Sequence, residues 1–307
     1  MVGTIGIIGV SEGNGHPFSY SSILNGYSGE GLAASGWPGI YEYVRRRHAS
    51  EFGIQGWRVT HAWTQEPKVT DRLCAACKIP NRVDHYEELI GKVDAVIVAR
   101  DDFESHLAFA LPFLKAGIPT FVDKPLSLSP DELRLFKPYL EAGLLMSCSG
   151  MRYARELDAA RSHIENFGQI KLIQGAVLLS WEKYGVHLLE AALSLRRTSP
   201  VSIRVAPAGH MSASIRMEDG SLLKIDAMGA IPPCFRLTLF GTKQIETFEV
   251  TDNFSMFRRM LWDFVSSIHS GKPVIPPSST INIMKVLIAG RIASAEDREV
   301  RIDEIAI

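Results

Sequence analysis

Hydrophobic residues change their rhythm near residue 150, and this change constrains the fold more than any other feature of the sequence. Up to that point Thr4 to Val10 is a short apolar run and Val93 to Ala99 a nearly continuous one, and Trp57 to Trp63, Thr120 to Val122 and Leu144 to Cys148 are further strand candidates. Runs of strand length that are apolar on both faces must be buried on both sides. Between them, Gly39 to Ser50, Val69 to Cys77, Tyr86 to Ile90, Phe103 to Ala116 and Pro130 to Ala142 carry helical patterns, with Gly117 and Gly143 placed to close two of the helices. Strands of this kind alternating with helices predict a parallel, doubly wound α/β sheet.

Beyond that point the apolar period becomes two. Met211, Ala213, Ile215 and Met217 alternate with Ser212, Ser214, Arg216 and Glu218. Asp219-Gly220 supplies a hairpin turn, and Leu223, Ile225 and Ala227 return on the same rhythm. Val201 to Val205 and Phe235 to Leu239 add two more alternating strands, and Tyr184 to Leu195, Phe254 to Ser270 and Thr280 to Glu296 read as helices. The expectation is an α/β N-terminal domain over residues 1–150 and an α+β domain with an open, mainly antiparallel sheet over 151–307. The final helix, 280–296, is expected to pack back on the first domain.

Composition narrows the function classes. With 307 residues, 46% of them apolar, the chain can bury two cores. Its 33 Lys+Arg against 34 Asp+Glu give a net charge of -1, so no overall field draws it to nucleic acid or an anionic membrane. No apolar run reaches the roughly 18 residues of a membrane span, and the first run, Ile5 to Val10, reads as a strand rather than a signal peptide, so a cytoplasmic protein is expected. Cys74-Ala-Ala-Cys77 has no second Cys or His pair at zinc spacing and reads as one face of a helix, so no metal is expected.

The turn after the first strand, Gly9-Val-Ser11-Glu-Gly13-Asn14-Gly15-His16, is rich enough in small residues to let backbone amides approach a pyrophosphate, with the next helix pointing its positive end at the same anion. The spacing departs from GxGxxG, since Ser11 and Asn14 stand where glycines would, and extra loop is expected before a helix starts. After the second strand, where a dinucleotide fold places an acidic ribose reader, the chain has Thr64, which can bond a ribose hydroxyl without a charge preference between NAD and NADP.

The stretch from Val93 to Ser127 resembles the Gfo/Idh/MocA family of oxidoreductases. It carries a buried strand, the turn Ala99-Arg100-Asp101-Asp102, a helix with His106, Ala116-Gly117, a strand, and Asp123-Lys124-Pro125 in place of the family's Glu-Lys-Pro. Gly185-Val-His187-Leu-Leu-Glu190 and Phe240-Gly-Thr-Lys243 extend the resemblance along the chain. It implies a Rossmann domain binding NAD or NADP through Gly9, Ser11, Gly13, Asn14, Thr64, Arg100, Asp101 and Asp123, with the nicotinamide in the cleft between two domains. It also implies Lys124 and His187 as the catalytic pair, acting on a secondary alcohol or ketone of a sugar, cyclitol or related polyol. Lys124, at the end of a buried strand, is suited to exchange protons near neutral pH. Arg152 and Tyr153 follow the last Rossmann strand, where the family places substrate-facing residues, and a guanidinium there can fork onto a carboxylate or phosphate. Lys183 stands where many members have an acid four residues before the histidine; a cation there favours a neutral imidazole and an anionic ligand. A homodimer or homotetramer is expected. Two other readings are compatible with the altered loop and with Lys183: an inactive NAD(P)- or sugar-binding sensor, and a reductase of a non-sugar carbonyl or imine.

Overall fold

The computed structural model describes residues 3–196 and 198–307, which form two compact units. The first consists of the chain up to Leu126 with Leu135–Ser147 and Phe257–Pro277; the second consists of Ser127–Arg134, Cys148–Met256 and Ser278–Ile307.

The first unit is built on β1 (Thr4–Ile8), α1 (His16–Asn25), α2 (Gly29–Ala33), α3 (Pro38–Arg45), β2 (Arg58–Trp63), α4 (Pro67–Cys77), β3 (Asn81–Arg82), β4 (Ala95–Val98), α5 (His106–Lys115), β5 (Thr120–Val122), α6 (Pro130–Glu141) and β6 (Leu145–Met146). All strand pairs are parallel, in the order β3-β2-β1-β4-β5-β6. This is the Rossmann order, with β1 and β4 adjacent where the winding reverses. β4 is buried at every position, which accounts for its uninterrupted apolar run. Gly117 and Gly143 both take left-handed φ values, +73° and +72°, and end α5 and α6 as expected. α1, by contrast, begins at His16 immediately after Gly15, so the extra loop expected before it is absent. The insertion lies further on, where α2 and α3 precede β2. Cys74 and Cys77 are free thiols on α4, both pushed up by burial, to about 11 and about 12.

The second unit contains α7 (Asp158–Ser162), β7 (Ile170–Val177), α8 (Val186–Ser194), β8 (Pro200–Ala206), β9 (Met211–Met217), β10 (Leu222–Ala227), β11 (Phe235–Gly241), β12 (Ile245–Glu249), α10 (Pro277–Glu296), which follows α9 (Asn253–Ser270), and β13 (Val300–Arg301). Its sheet runs β12-β11-β7-β10-β9-β8-β13, antiparallel except for the parallel pair β7 and β10. The sequence reading lacked β7, although it sits between β11 and β10. Its pattern is interrupted by Gly175, where a Cβ would lie 2.6 Å from Leu188 of α8, so the glycine marks the helix's approach to the sheet. The last helix clusters with the second unit, within the expected 151–307. Trp181 donates its indole N–H to Leu287 O of α10 at 3.0 Å, and Gly290 leaves room for the ring, which holds α10 in the second unit. It is Phe257–Pro277 that clusters with the first.

Candidate active site

Every expected nucleotide-side residue follows the C-terminal end of a Rossmann strand, the edge where open α/β sheets bind ligands. Gly9 follows β1 with φ +80° and donates its N–H to Trp63 O at 2.7 Å; a Cβ there would lie 2.5 Å from Arg100 Cδ. Arg100 itself lies over the ring of Phe109 at 5.0 Å, donates Nε to Asp102 at 2.9 Å and reaches Val10 O at 3.1 Å. Gln65 grips the same loop residue from the other side, accepting the Val10 N–H at 3.2 Å and donating to Val10 O at 2.7 Å. The loop is thus held in shape by side chains from the turns that follow β2 and β4.

The backbone N–H groups of Glu12, Gly13 and Gly15 meet no acceptor among the described residues. The end of α1 is different. Asn14 Oδ1 accepts the His16 N–H at 2.9 Å, Pro17 has none, and Phe18 and Ser19 both donate to Gly15 O. The open donors for an anion therefore lie in the loop, not on the helix end as the sequence reading supposed.

Behind the loop lies a buried polar network. Ser11 Oγ donates to Asp101 at 2.7 Å and accepts the Asp101 N–H at 3.0 Å, and Asp101 pairs with Lys124 Nζ at 3.8 Å. Asp123, fully buried, accepts the Lys124 N–H at 2.8 Å, Asn14 Nδ2 at 3.2 Å and His16 Nδ1. Burial alone would raise its carboxyl, but the His16 charge and hydrogen bond, with Lys124, outweigh that and hold it at about 2. His106, buried, spans Arg100 O at 2.8 Å and Leu126 O at 3.0 Å, and so ties the turn after β4 to the one after β5. Thr64 is not placed to read a ribose. It is buried, and its hydroxyl is spent on Glu66 O at 2.9 Å and Thr70 Oγ1 at 2.7 Å.

In the second unit a single π turn, Trp181–Gly185, leads into α8, capped by Ser180, whose Oγ accepts the Lys183 N–H at 3.3 Å. Such turns concentrate at functional sites. Lys183 lies on that turn, half-buried, and His187 on the first turn of α8. The imidazole is 7% exposed, its Nδ1 lies 2.6 Å from Ser149 Oγ, and the rings of Tyr184 and Phe235 stand edge-on to it, each with centroids 5.3 Å away. Ser149 also caps the turn carrying Arg152 and the half-buried Tyr153 by accepting the Met151 N–H.

Arg152 does not present an open fork. Its Nε donates to Glu190 at 2.7 Å and a terminal nitrogen to Ser279 Oγ at 2.7 Å. Glu190, 1% exposed, also accepts the Ser149 N–H; burial raises its carboxyl, with Arg152 opposing. Since removing one member of a buried pair strands the other charge, Arg152→Met is expected to cost about 3–5 kcal/mol in urea unfolding. Equal stability of Arg152→Met and wild type would show the pair to be unimportant.

His16, Gln65 and Ser149 were missed by sequence reasoning. His16 directly follows the glycine loop, yet nothing local ties it to Asp123, 107 positions away. A serine before a glycine-led turn is a capping signal, but it does not name an imidazole 38 residues on.

Residues 39–142 match the family described as oxidoreductase, NAD-binding Rossmann fold, Gfo/Idh/MocA. No curated protein sequence matches the chain. Among solved structures, the scyllo-inositol dehydrogenase of Lactobacillus casei superposes with a TM-score of 0.77 at 15% identity, over 99% of both chains. The same enzyme with bound NAD(H) and scyllo-inositol gives 0.76 at 14%, over 99% of this chain and 100% of that one. The myo-inositol 2-dehydrogenase of Lactobacillus plantarum gives 0.75 at 15%, over 98% and 99%. The two-unit fold is shared along the whole length, and residues 39–142 are similar to the NAD-binding Rossmann domain of the Gfo/Idh/MocA oxidoreductases.

Proposed function

We propose that the chain is an NAD(P)-dependent dehydrogenase that interconverts a secondary alcohol and a ketone on a sugar, cyclitol or related polyol. The observation that carries this reading is the buried ammonium of Lys124, held by Asp101 behind a loop with open backbone N–H donors. Those donors fit a cofactor diphosphate, and Gly9 fits close backbone approach. When bound, NAD(P) would supply the hydride acceptor, or donor, for the carbinol carbon. Lys124 Nζ donates to the substrate oxygen and stabilises negative charge on it as the C–O bond becomes C=O. His187, held at Nδ1 by Ser149, takes the hydroxyl proton at Nε2. In this reading Arg152 positions the turn bearing Ser149, and hence the imidazole, while Lys183 favours substrates with an anionic substituent. A relative of the same fold crystallised with NAD(H) and scyllo-inositol supports the cofactor and substrate class. No helix of the described residues is long and apolar enough to cross a membrane.

The test is calorimetric titration with NADH and NADPH, followed by NAD+- and NADP+-dependent oxidation of a panel of inositols and sugars. Both cofactors are expected to bind with weak discrimination, because Thr64 is consumed internally and no charge replaces it. No binding of either cofactor at about millimolar concentration would remove the reading.

A further inference from the structure

The first unit holds a cavity of about 710 Å³ at the edge of its sheet opposite the glycine loop. It is formed where α1 and α4 end and β2 begins, and the inserted segment before β2 supplies much of its wall. Strands of five or six residues separate this edge from the glycine loop by roughly 20 Å.

Tyr27, Phe52 and Trp57 provide the aromatic wall, the first two with ring centroids 5.7 Å apart. Arg47, Arg58 and Lys78 also line the cavity, and no carboxylate does. Arg47 is paired with Glu51 at 3.6 Å, whereas Arg58 and Lys78, both exposed, make no ion pair among the described residues. The ends of α1 and α4 contribute about half a negative charge each, so three cations less Glu51 and the two helix ends leave roughly one net positive charge. The wall is also preformed. Arg258 of α9 donates to Glu51 O at 2.6 Å, Gly53 N–H to Ile23 O at 2.9 Å, and Trp57 Nε1 to His269 at 3.1 Å.

Lys78 is the most informative residue. It closes α4 in the left-handed conformation, φ +54°, which ordinarily falls to glycine. A left-handed backbone position thus places a lysine, where a glycine is usual, in the wall of the cavity.

We propose that this cavity is a binding site for a small aromatic anion, a phosphate or carboxylate carried on a planar ring. The ring packs against Tyr27, Phe52 and Trp57, and Arg58 and Lys78 hold the anionic group by charge-assisted hydrogen bonds. The site is independent of the nucleotide loop and needs no turnover.

Phenyl phosphate, inorganic phosphate and phenol serve as probes, titrated calorimetrically into the full chain with and without saturating NADH. Phenyl phosphate is expected to bind in both cases with about millimolar affinity or better, and the other two at least about tenfold more weakly. Arg58→Gln and Lys78→Gly should each weaken it roughly tenfold. Lys78→Gly should also raise the melting temperature, since glycine relieves the left-handed residue, which separates lost binding from lost folding. The proposal fails if phenyl phosphate does not bind at about 10 mM, if NADH displaces it, if inorganic phosphate binds equally well, or if both folded variants bind it like wild type.

Discussion

Replacing Lys124 with methionine is expected to lower kcat by about 10²- to 10⁴-fold on any polyol the protein oxidises, with little change in NADH affinity. Methionine nearly preserves the volume of the side chain, so the expected loss is chemical rather than a packing defect. The ammonium is 4% exposed and paired with Asp101, which is itself held by Ser11, so its position is set before substrate arrives. The open N–H groups of the loop are backbone groups and stay in place in the variant. Pre-steady-state measurement of hydride transfer, with NADH affinity determined separately, checks both halves. A Lys124→Met enzyme with near wild-type turnover would reduce Lys124 to one half of a buried ion pair.

Asp123→Asn is expected to destabilise the protein by about 2 kcal/mol or more at neutral pH and to flatten its acid limb of stability. The folded carboxyl sits at about 2 against an ordinary 3.8, a displacement that corresponds to about 2 kcal/mol. A depressed carboxyl contributes stability that is complete above its unfolded value. It is lost as pH falls through the folded value, so the window runs from about pH 4 down to about pH 2. Asparagine can still accept the Lys124 N–H but leaves His16 without its charged partner. Urea unfolding of both proteins between pH 3 and pH 7 reads the effect, and parallel curves would exclude Asp123 as its source. His16→Gln should reproduce part of the loss, because it removes the first of the influences that hold the carboxyl down.

Much of the first unit could be read from the sequence. Strands buried on both faces announce themselves as unbroken apolar runs, as β4 does, and helix ends announce themselves through glycine, as at Gly117 and Gly143. The turn after β4 and the Asp123-Lys124-Pro125 segment are contiguous, so their resemblance to a family survives without any tertiary information. The hairpin of β9 and β10 was equally legible, because Asp219-Gly220 and the flanking alternation lie within one short segment.

What the tertiary structure decided was every relation between distant residues. Periodicity states which face of an element is apolar but not what covers it; thus β7, broken by Gly175, was overlooked although α8 packs against it there. The indole of Trp181 and the space left at Gly290 hold the last helix in the second unit, a contact that no local pattern announces. The site divides in the same way. Lys124 and His187 were proposed from local motifs, whereas their hydrogen-bond and ion-pair partners, Asp101 with Ser11 for one and Ser149 for the other, come from other strands and turns. Arg152 looked open to a ligand because the sequence shows one end of an ion pair and conceals that Glu190 is buried against it. Local steric and hydrophobic preferences act between near neighbours and leave a pattern in the chain; hydrogen bonds and ion pairs act in space and leave none.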